Sequence, residues 1–277
     1  MVSARWPNAS FEELWLSDEI WGWGNSSDQN GLQYDLPHDG QGLTDINFSL
    51  EDGGIAILNV GNWKTWARPV LNHTQGSDHF TYEPVPNYKD KWQNHHYYLE
   101  GKIELLDSPG EWFFDPATLE LFLWTAQGVN PDQLNVHGKN QDYAITIDNA
   151  SNISIRGLDF FATTVKLDGC EDVLIEDCNF YYPSYSKRML GDFSDTEITL
   201  LRGANENEWA GNILRNCSFQ YTEGPALDIK GVRNEIENCL FHHIDYTSVV
   251  FGGNAKSIRS YNGHGTILRR NTFYISG

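Results

Sequence analysis

Asp228, Glu223 and Asp245 fall within a short stretch in the second half of the chain, with His242 among them. Paired carboxylates, or a carboxylate beside an imidazole, are the groups that general acid–base and nucleophilic catalysis require. Asp148 and Asp168 form a second set, with Lys166 between them and Arg202 and Lys230 further along. Two carboxylates held side by side make a hard-oxygen pair of the kind Ca²⁺ accepts. A Lys or Arg beside them could act as a base or clamp an anionic group. All of this requires elements that bring residues so far apart in sequence onto one surface.

Five segments supply those elements: 155–161, 175–181, 214–220, 236–242 and 268–274, reading IRGLDFF, IEDCNFY, LRNCSFQ, IENCLFH and LRRNTFY. Their shared phenylalanine falls at 160, 180, 219, 241 and 273, spacings of 20, 39, 22 and 32. A period near 20 with longer gaps is the mark of a solenoid in which some turns carry loops. The runs are short, alternate apolar and polar residues, and are punctuated by Gly, Asn and Asp, which predicts strands. A further strand is expected before each segment, at 145–147, 165–167, 199–201, 227–229 and 248–250. Three short strands per turn predict an all-β fold, a right-handed parallel β-helix with coils roughly 4.8 Å apart.

Alternation then assigns the outer face. If Val165, Leu167, Leu227 and Ile229 point inward, one outward column reads Thr146, Lys166, Leu200, Asp228, Val249. The other reads Asp148, Asp168, Arg202, Lys230, Phe251. Asp228 is the lone carboxylate at the centre of this face, with Glu223 and Asp245 in flanking loops. His242 faces out and His243 packs. All four cysteines lie in this half, and Cys178, Cys217 and Cys239 share one repeat position. With no CxxC and no interleaved His, they read as small buried hydrophobes. Asn216 and Asn238, one residue earlier, read as turn residues bonding along the stack. The loop 182–196 offers Tyr182, Tyr185 and Asp192 as ligand contacts, and His264 sits in a second, glycine-flanked loop.

The first half has a different composition. Nine of the ten tryptophans lie at or before Trp124, and every cysteine lies after it. The run 97–124 predicts an antiparallel meander, with strands at 102–106, 112–114 and 119–124. Residues 1–130 are therefore expected to form a Trp-rich β module packed on or inserted into the helix of 131–277, with Trp15, Trp21, Trp23, Trp63 and Trp66 in its core. A net charge of −19 over 277 residues argues against nucleic acid and anionic membranes as partners. No stretch has the apolar length of a membrane span, and the first ten residues contain no signal-peptide core.

The segments ARWPN (4–8), WARPV (66–70), LLDSPGEWFFD (105–115), NCLFHHI (238–244) and SVVFGGN (248–254) resemble bacterial β-helical carbohydrate-active proteins of the pectate-lyase-like superfamily. Glycoside hydrolases of α-fucosidase and xylanase type are among their relatives. The resemblance implies an oligo- or polysaccharide partner in a groove along one outer face, secretion or a periplasmic location, and relatives longer at both ends than this chain. Glycoside hydrolysis needs two carboxylates, roughly 5–5.5 Å apart for retention or 6.5–9.5 Å for inversion. That makes Asp228, Glu223, Asp245 and His242 the catalytic candidates. Lys166, Lys230, Arg202, Tyr182, Tyr185, Asp192 and His264 are the substrate contacts. The alternatives are a lyase, with Ca²⁺ held by Asp148 and Asp168 and Lys or Arg as base, and a non-catalytic glycan-binding or structural β-helix. No other cofactor is expected.

Overall fold

The computed structural model describes residues 2–8, 22–27, 30–37, 40–60, 66–85, 95–193, 197–244, 258–261 and 264–276. The described elements are all β apart from short 3₁₀ turns, and they divide into two units. The first comprises Met1–Val136 and Lys187–Ser194, the second His137–Ser186 and Asp195–Gly277. The segment Lys187–Ser194 thus belongs to the first unit although it is read from the middle of the second.

In the second unit every copy of the repeated pattern contributes one strand to each of three parallel sheets. Sheet A takes Tyr143–Asp148, Thr164–Asp168, Thr199–Arg202, Leu227–Lys230 and Ile258–Tyr261. Sheet B takes Ser154–Arg156, Leu174–Glu176, Ile213–Arg215, Glu235–Glu237 and Ile267–Arg269. Sheet C takes Asp159–Phe161, Asn179–Tyr181, Ser218–Gln220, Leu240–Ile244 and Thr272–Ser276. The phenylalanines are register partners in sheet C. Their rings stack at 4.6–5.3 Å between centroids and within 9° of parallel. Strand spacing sets this distance, because in-register parallel strands lie about 4.8 Å apart.

Only two residues separate each sheet B strand from the following sheet C strand, and the first of them is left-handed in every copy. Gly157, Asp177, Asn216, Asn238 and Arg270 all lie between φ 54 ± 10° in this column. Asn216 donates to Asp177 Oδ1 at 3.1 Å and Asn238 donates to Asn216 Oδ1 at 2.8 Å, so these turn amides do bond along the stack. The next residue is the buried Cys178, Cys217 or Cys239. All four cysteines are buried and free.

One expected strand requires correction. The fifth strand of sheet A is Ile258–Tyr261, in register with Leu227–Lys230. The expected strand at 248–250 lies outside the described residues. The column positions given to Val249 and Phe251 therefore belong to Arg259 and Tyr261. SVVF is the more apolar run, but the ladder is filled by IRSY from what reads as a Gly- and Asn-rich loop.

In the first unit, antiparallel strands Gly22–Ser27, Leu32–Asp35, Ile55–Asn59, Trp66–Asn72, His79–Tyr82 and His95–Glu100 form a sheet that closes on itself, because Ile55–Asn59 pairs with both Trp66–Asn72 and His95–Glu100. Closure removes exposed sheet edges. Leu58, Phe80, Tyr82, Tyr97 and Leu99 fill the interior. Trp66 is buried among them; Trp15, Trp21 and Trp63 lie outside the described residues. The hairpin Glu111–Asp115 with Glu120–Leu123 is antiparallel as expected. The stretch 102–106 is not a strand but a 3₁₀ turn, Ile103–Leu105. Gly101 causes the break. Its φ is +86°, and a Cβ there would lie 2.2 Å from the Gly53 carbonyl oxygen, so the strand ends at Glu100.

Candidate functional site

The outward columns of sheet A keep the register of the sequence pattern through four strands. Thr146 pairs with Lys166, Asp148 with Asp168, Lys166 with Leu200, Leu200 with Asp228, and Arg202 with Lys230. Inward, Val165, Leu167, Leu201, Leu227 and Ile229 are all buried. Three carboxylates (Asp148, Asp168, Asp228) and three cations (Lys166, Arg202, Lys230) thus share one face.

Asp228 is not the lone, open carboxylate that alternation suggests. It is fully buried, and Arg202 grips it at both oxygens, Nε to Oδ1 at 2.7 Å and Nη2 to Oδ2 at 2.6 Å. The two residues sit in neighbouring columns on adjacent strands, so the guanidinium reaches the carboxylate diagonally. Fork-on-carboxylate geometry is the strongest form of charge-assisted hydrogen bonding. Lys230, turned the other way, places its ammonium 3.8 Å from Asp168 Oδ1, with 37% of the Asp168 side chain exposed. Asp148 beside it is exposed and Lys166 is half-buried. The accessible carboxylate pair on this face is therefore Asp148 with Asp168.

That pair is also the expected Ca²⁺ site. Ca²⁺ takes 6–8 oxygen ligands. Among the described residues no three His, Cys, Asp or Glu side chains gather where they could hold a metal ion. Lys230 already lies against Asp168.

The remaining candidates divide between several places. Glu223 accepts a hydrogen bond from the Ser186 amide, and its own amide donates to Ser184 Oγ at 3.2 Å, so it fixes the start of the long loop. Lys139 lies over the Tyr185 ring, 5.0 Å from its centroid, which makes that ring a packing partner for a cation. Tyr182 is half exposed, left-handed at φ 52°, and stacks on Tyr221 at 5.1 Å. Asp192 belongs to the first unit, through Lys187–Ser194, and not to the face of sheet A. His264 is exposed. Asp245 lies outside the described residues.

His242 projects from sheet C between its register partners Gln220 and Tyr274. Its Nδ1 shares a 2.8 Å hydrogen bond with Nδ1 of the buried His243, so one ring donates and the other accepts. His243 stacks on Tyr221 at 4.9 Å, and His242 on Tyr274 at 4.9 Å. This aromatic run, Tyr182, Tyr221, His243, His242, Tyr274, was legible only in part. Tyr221 and Tyr182 occupy the left-handed position after a sheet C strand, where an aromatic residue is uncommon.

Arg188, in the loop 182–196, makes a buried ion pair. Its guanidinium is buried in the first unit, with Nε 2.7 Å from Glu100 Oε2 and Nη2 3.2 Å from Oε1. Arg5 Nη2 approaches Glu100 Oε1 from another side at 3.3 Å, and Ser3 donates to the same oxygen. Burial alone raises the Glu100 carboxyl, but the two guanidinium groups and these hydrogen bonds outweigh it and hold it below its ordinary value.

No family model matches this sequence, and no curated protein matches it. A solved structure described as a glycoside hydrolase matches with a TM-score of 0.52 at 13% identity, over 87% of this chain and 52% of that one. The chain thus spans about half the length of that protein. At this identity the likeness is one of fold.

Proposed function

We propose that this chain acts on polysaccharide as a glycoside hydrolase, and that its second unit is a right-handed parallel β-helix of pectate-lyase-like kind whose sheet A face carries the chemistry. The reading is supported by the rotation of strands among three parallel sheets and by the fold likeness to a glycoside hydrolase. The observation that carries it is the in-register placement of Asp148 and Asp168, both accessible, on neighbouring strands. Parallel strands about 4.8 Å apart suit the roughly 5–5.5 Å carboxyl separation of a retaining reaction.

In this reading Asp168, beside the Lys230 ammonium, is the nucleophile, and Asp148 is the acid that protonates the leaving oxygen. Lys166 and Arg202 contact the sugar, and Asp228 orients Arg202. Glu223 and His242 border the substrate without entering the reaction. A polysaccharide substrate places the protein outside the cytoplasm, secreted or periplasmic.

The test is release of reducing ends from a panel of neutral and acidic polysaccharides. Asp168→Asn should abolish turnover, because a carboxamide cannot form the covalent glycosyl–enzyme bond, while keeping the fold. A conjugated, unsaturated product would replace hydrolysis by elimination, with Lys166 as the base. An Asp168→Asn protein that turns over like the parent would remove the pair from the mechanism.

A further inference from the structure

The first unit holds a cavity of about 400 Å³. Its lining includes the apolar residues Phe113, Phe193 and Pro69 and the acidic residues Asp52 and Asp115. Glycines 53, 54, 101 and 191 also line it. Two of them have no room for a side chain: a Cβ on Gly54 would lie 2.2 Å from the Leu50 carbonyl oxygen, and one on Gly101 the same distance from that of Gly53. The space is therefore fixed by packing of the turn 51–54 on Gly101. The other side is closed by the segment that Arg188 anchors through Glu100.

We infer that this cavity is a binding site for one neutral pyranose residue of a glycan. Its volume is at the low end of the ~300–1,000 Å³ of small-molecule sites, enough for one sugar ring. Sugar recognition needs apolar faces for the C–H surface of the ring and fixed acceptors for its hydroxyls. Phe113, Phe193 and Pro69 supply the first. Asp52 and Asp115 supply the second, and Asp115 is pre-positioned by accepting from the Ala117 amide at 2.8 Å. The charge decides among sugars. The one cation in the lining, Arg188, is bound to Glu100, whereas the lining also holds two acidic residues, Asp52 and Asp115. A uronate or sulfated sugar would be repelled, and a neutral ring is favoured.

This inference extends the polysaccharide reading but does not depend on the sheet A chemistry, since every residue lining the cavity belongs to the first unit. Isothermal titration with neutral tri- and tetrasaccharides and with a uronate trimer tests it. Neutral oligosaccharides should bind, and the uronate trimer should not. Phe193→Ala should weaken the neutral ligand by about tenfold, the worth of one lost aromatic contact with its buried area. Asp52→Asn should weaken it less, and neither change should lower the melting temperature, as both residues border the cavity from turns. Asp168→Asn should leave binding intact, so a failed hydrolysis reading and a failed binding reading can be told apart. Absence of binding by every neutral oligosaccharide would overturn the assignment. So would equal binding of the uronate, or unchanged affinity in both Phe193→Ala and Asp52→Asn.

Discussion

A guanidinium held at both nitrogens by one carboxylate constrains both partners. Arg202 keeps 23% of its side chain exposed while Asp228 keeps none, so the pair presents a cation to the outer face of sheet A and hides the anion beneath it. Replacing Asp228 by Asn keeps the shape but removes the charge and puts an NH₂ against a guanidinium N–H. The expected loss is about 1–3 kcal/mol, less than for a wholly buried pair because Arg202 still reaches water. Asp168→Asn should cost under about 1 kcal/mol, since its contact with Lys230 is open to solvent. Urea denaturation of both variants checks the contrast. Equal losses would mean that the Arg202 fork contributes no more than a surface ion pair. The position of Asp228 was legible in the sequence, because alternation places it outward in the fourth strand of sheet A. Its partner was not, because the contact runs diagonally between columns, and strand periodicity says nothing about which way a long side chain leans.

At the scale of elements, two ladders hold the second unit. The phenylalanine stack runs through its core, and Phe219 lies at its centre, fully buried between Phe180 and Phe241. Phe219→Ala should cost about 3–5 kcal/mol, the transfer term plus the cavity it leaves, read as a lowered denaturation midpoint with an unchanged m-value. The second ladder lies on the outward side of sheet B, where Arg156, Glu176, Arg215, Glu237 and Arg269 are successive register partners. Charge alternates at every step. Arg215 Nη2 lies 2.6 Å from Glu176, and Arg269 Nη2 lies 2.8 Å from Glu237. A slip by one strand would oppose like charges, so the ladder favours one pairing. Glu176→Lys should destabilise by about 1–2 kcal/mol by placing three cations in a row, and this loss should shrink at 1 M salt, where screening acts within roughly 3 Å. A salt-independent loss would point to packing instead. The phenylalanine column was readable because identical residues recur at a fixed place in each copy. The fifth strand of sheet A was not, because Ile258–Tyr261 is less apolar than the run before it. Nor was the membership of Lys187–Ser194 in the first unit, where Arg188 pairs with Glu100 and Met189 packs on the core, because both contacts join residues remote in sequence.

Across the whole molecule the two units should answer acid differently, and His73 in the first unit gives the reason. Its imidazole is buried, and Nδ1 accepts a hydrogen bond from the Leu50 amide at 3.3 Å. That bond exists only while Nδ1 carries no proton. Burial holds His73 below its ordinary value, and the nearby Glu51 only partly offsets this. In the unfolded chain the ring takes up a proton near pH 6.5. Between that pH and the lower folded value, the unfolded state therefore binds more protons than the native state. Stability of the first unit must then rise with pH across this window and fall as the solution is acidified through it. Asp35 and Glu111, both raised chiefly by burial, act with the opposite sign, since the folded state protonates them more readily. They are common to the parent and a His73→Gln variant, so the comparison cancels them. Amide exchange, corrected for intrinsic rates, should show first-unit protection falling as the pH drops below about 6.5 in the parent and falling less in His73→Gln. Leu50 and its neighbours should respond most, and sheets A and B, which carry no histidine in their described strands, should change little. Equal pH sensitivity in the two proteins would assign the response to other groups and leave His73 as a packing residue.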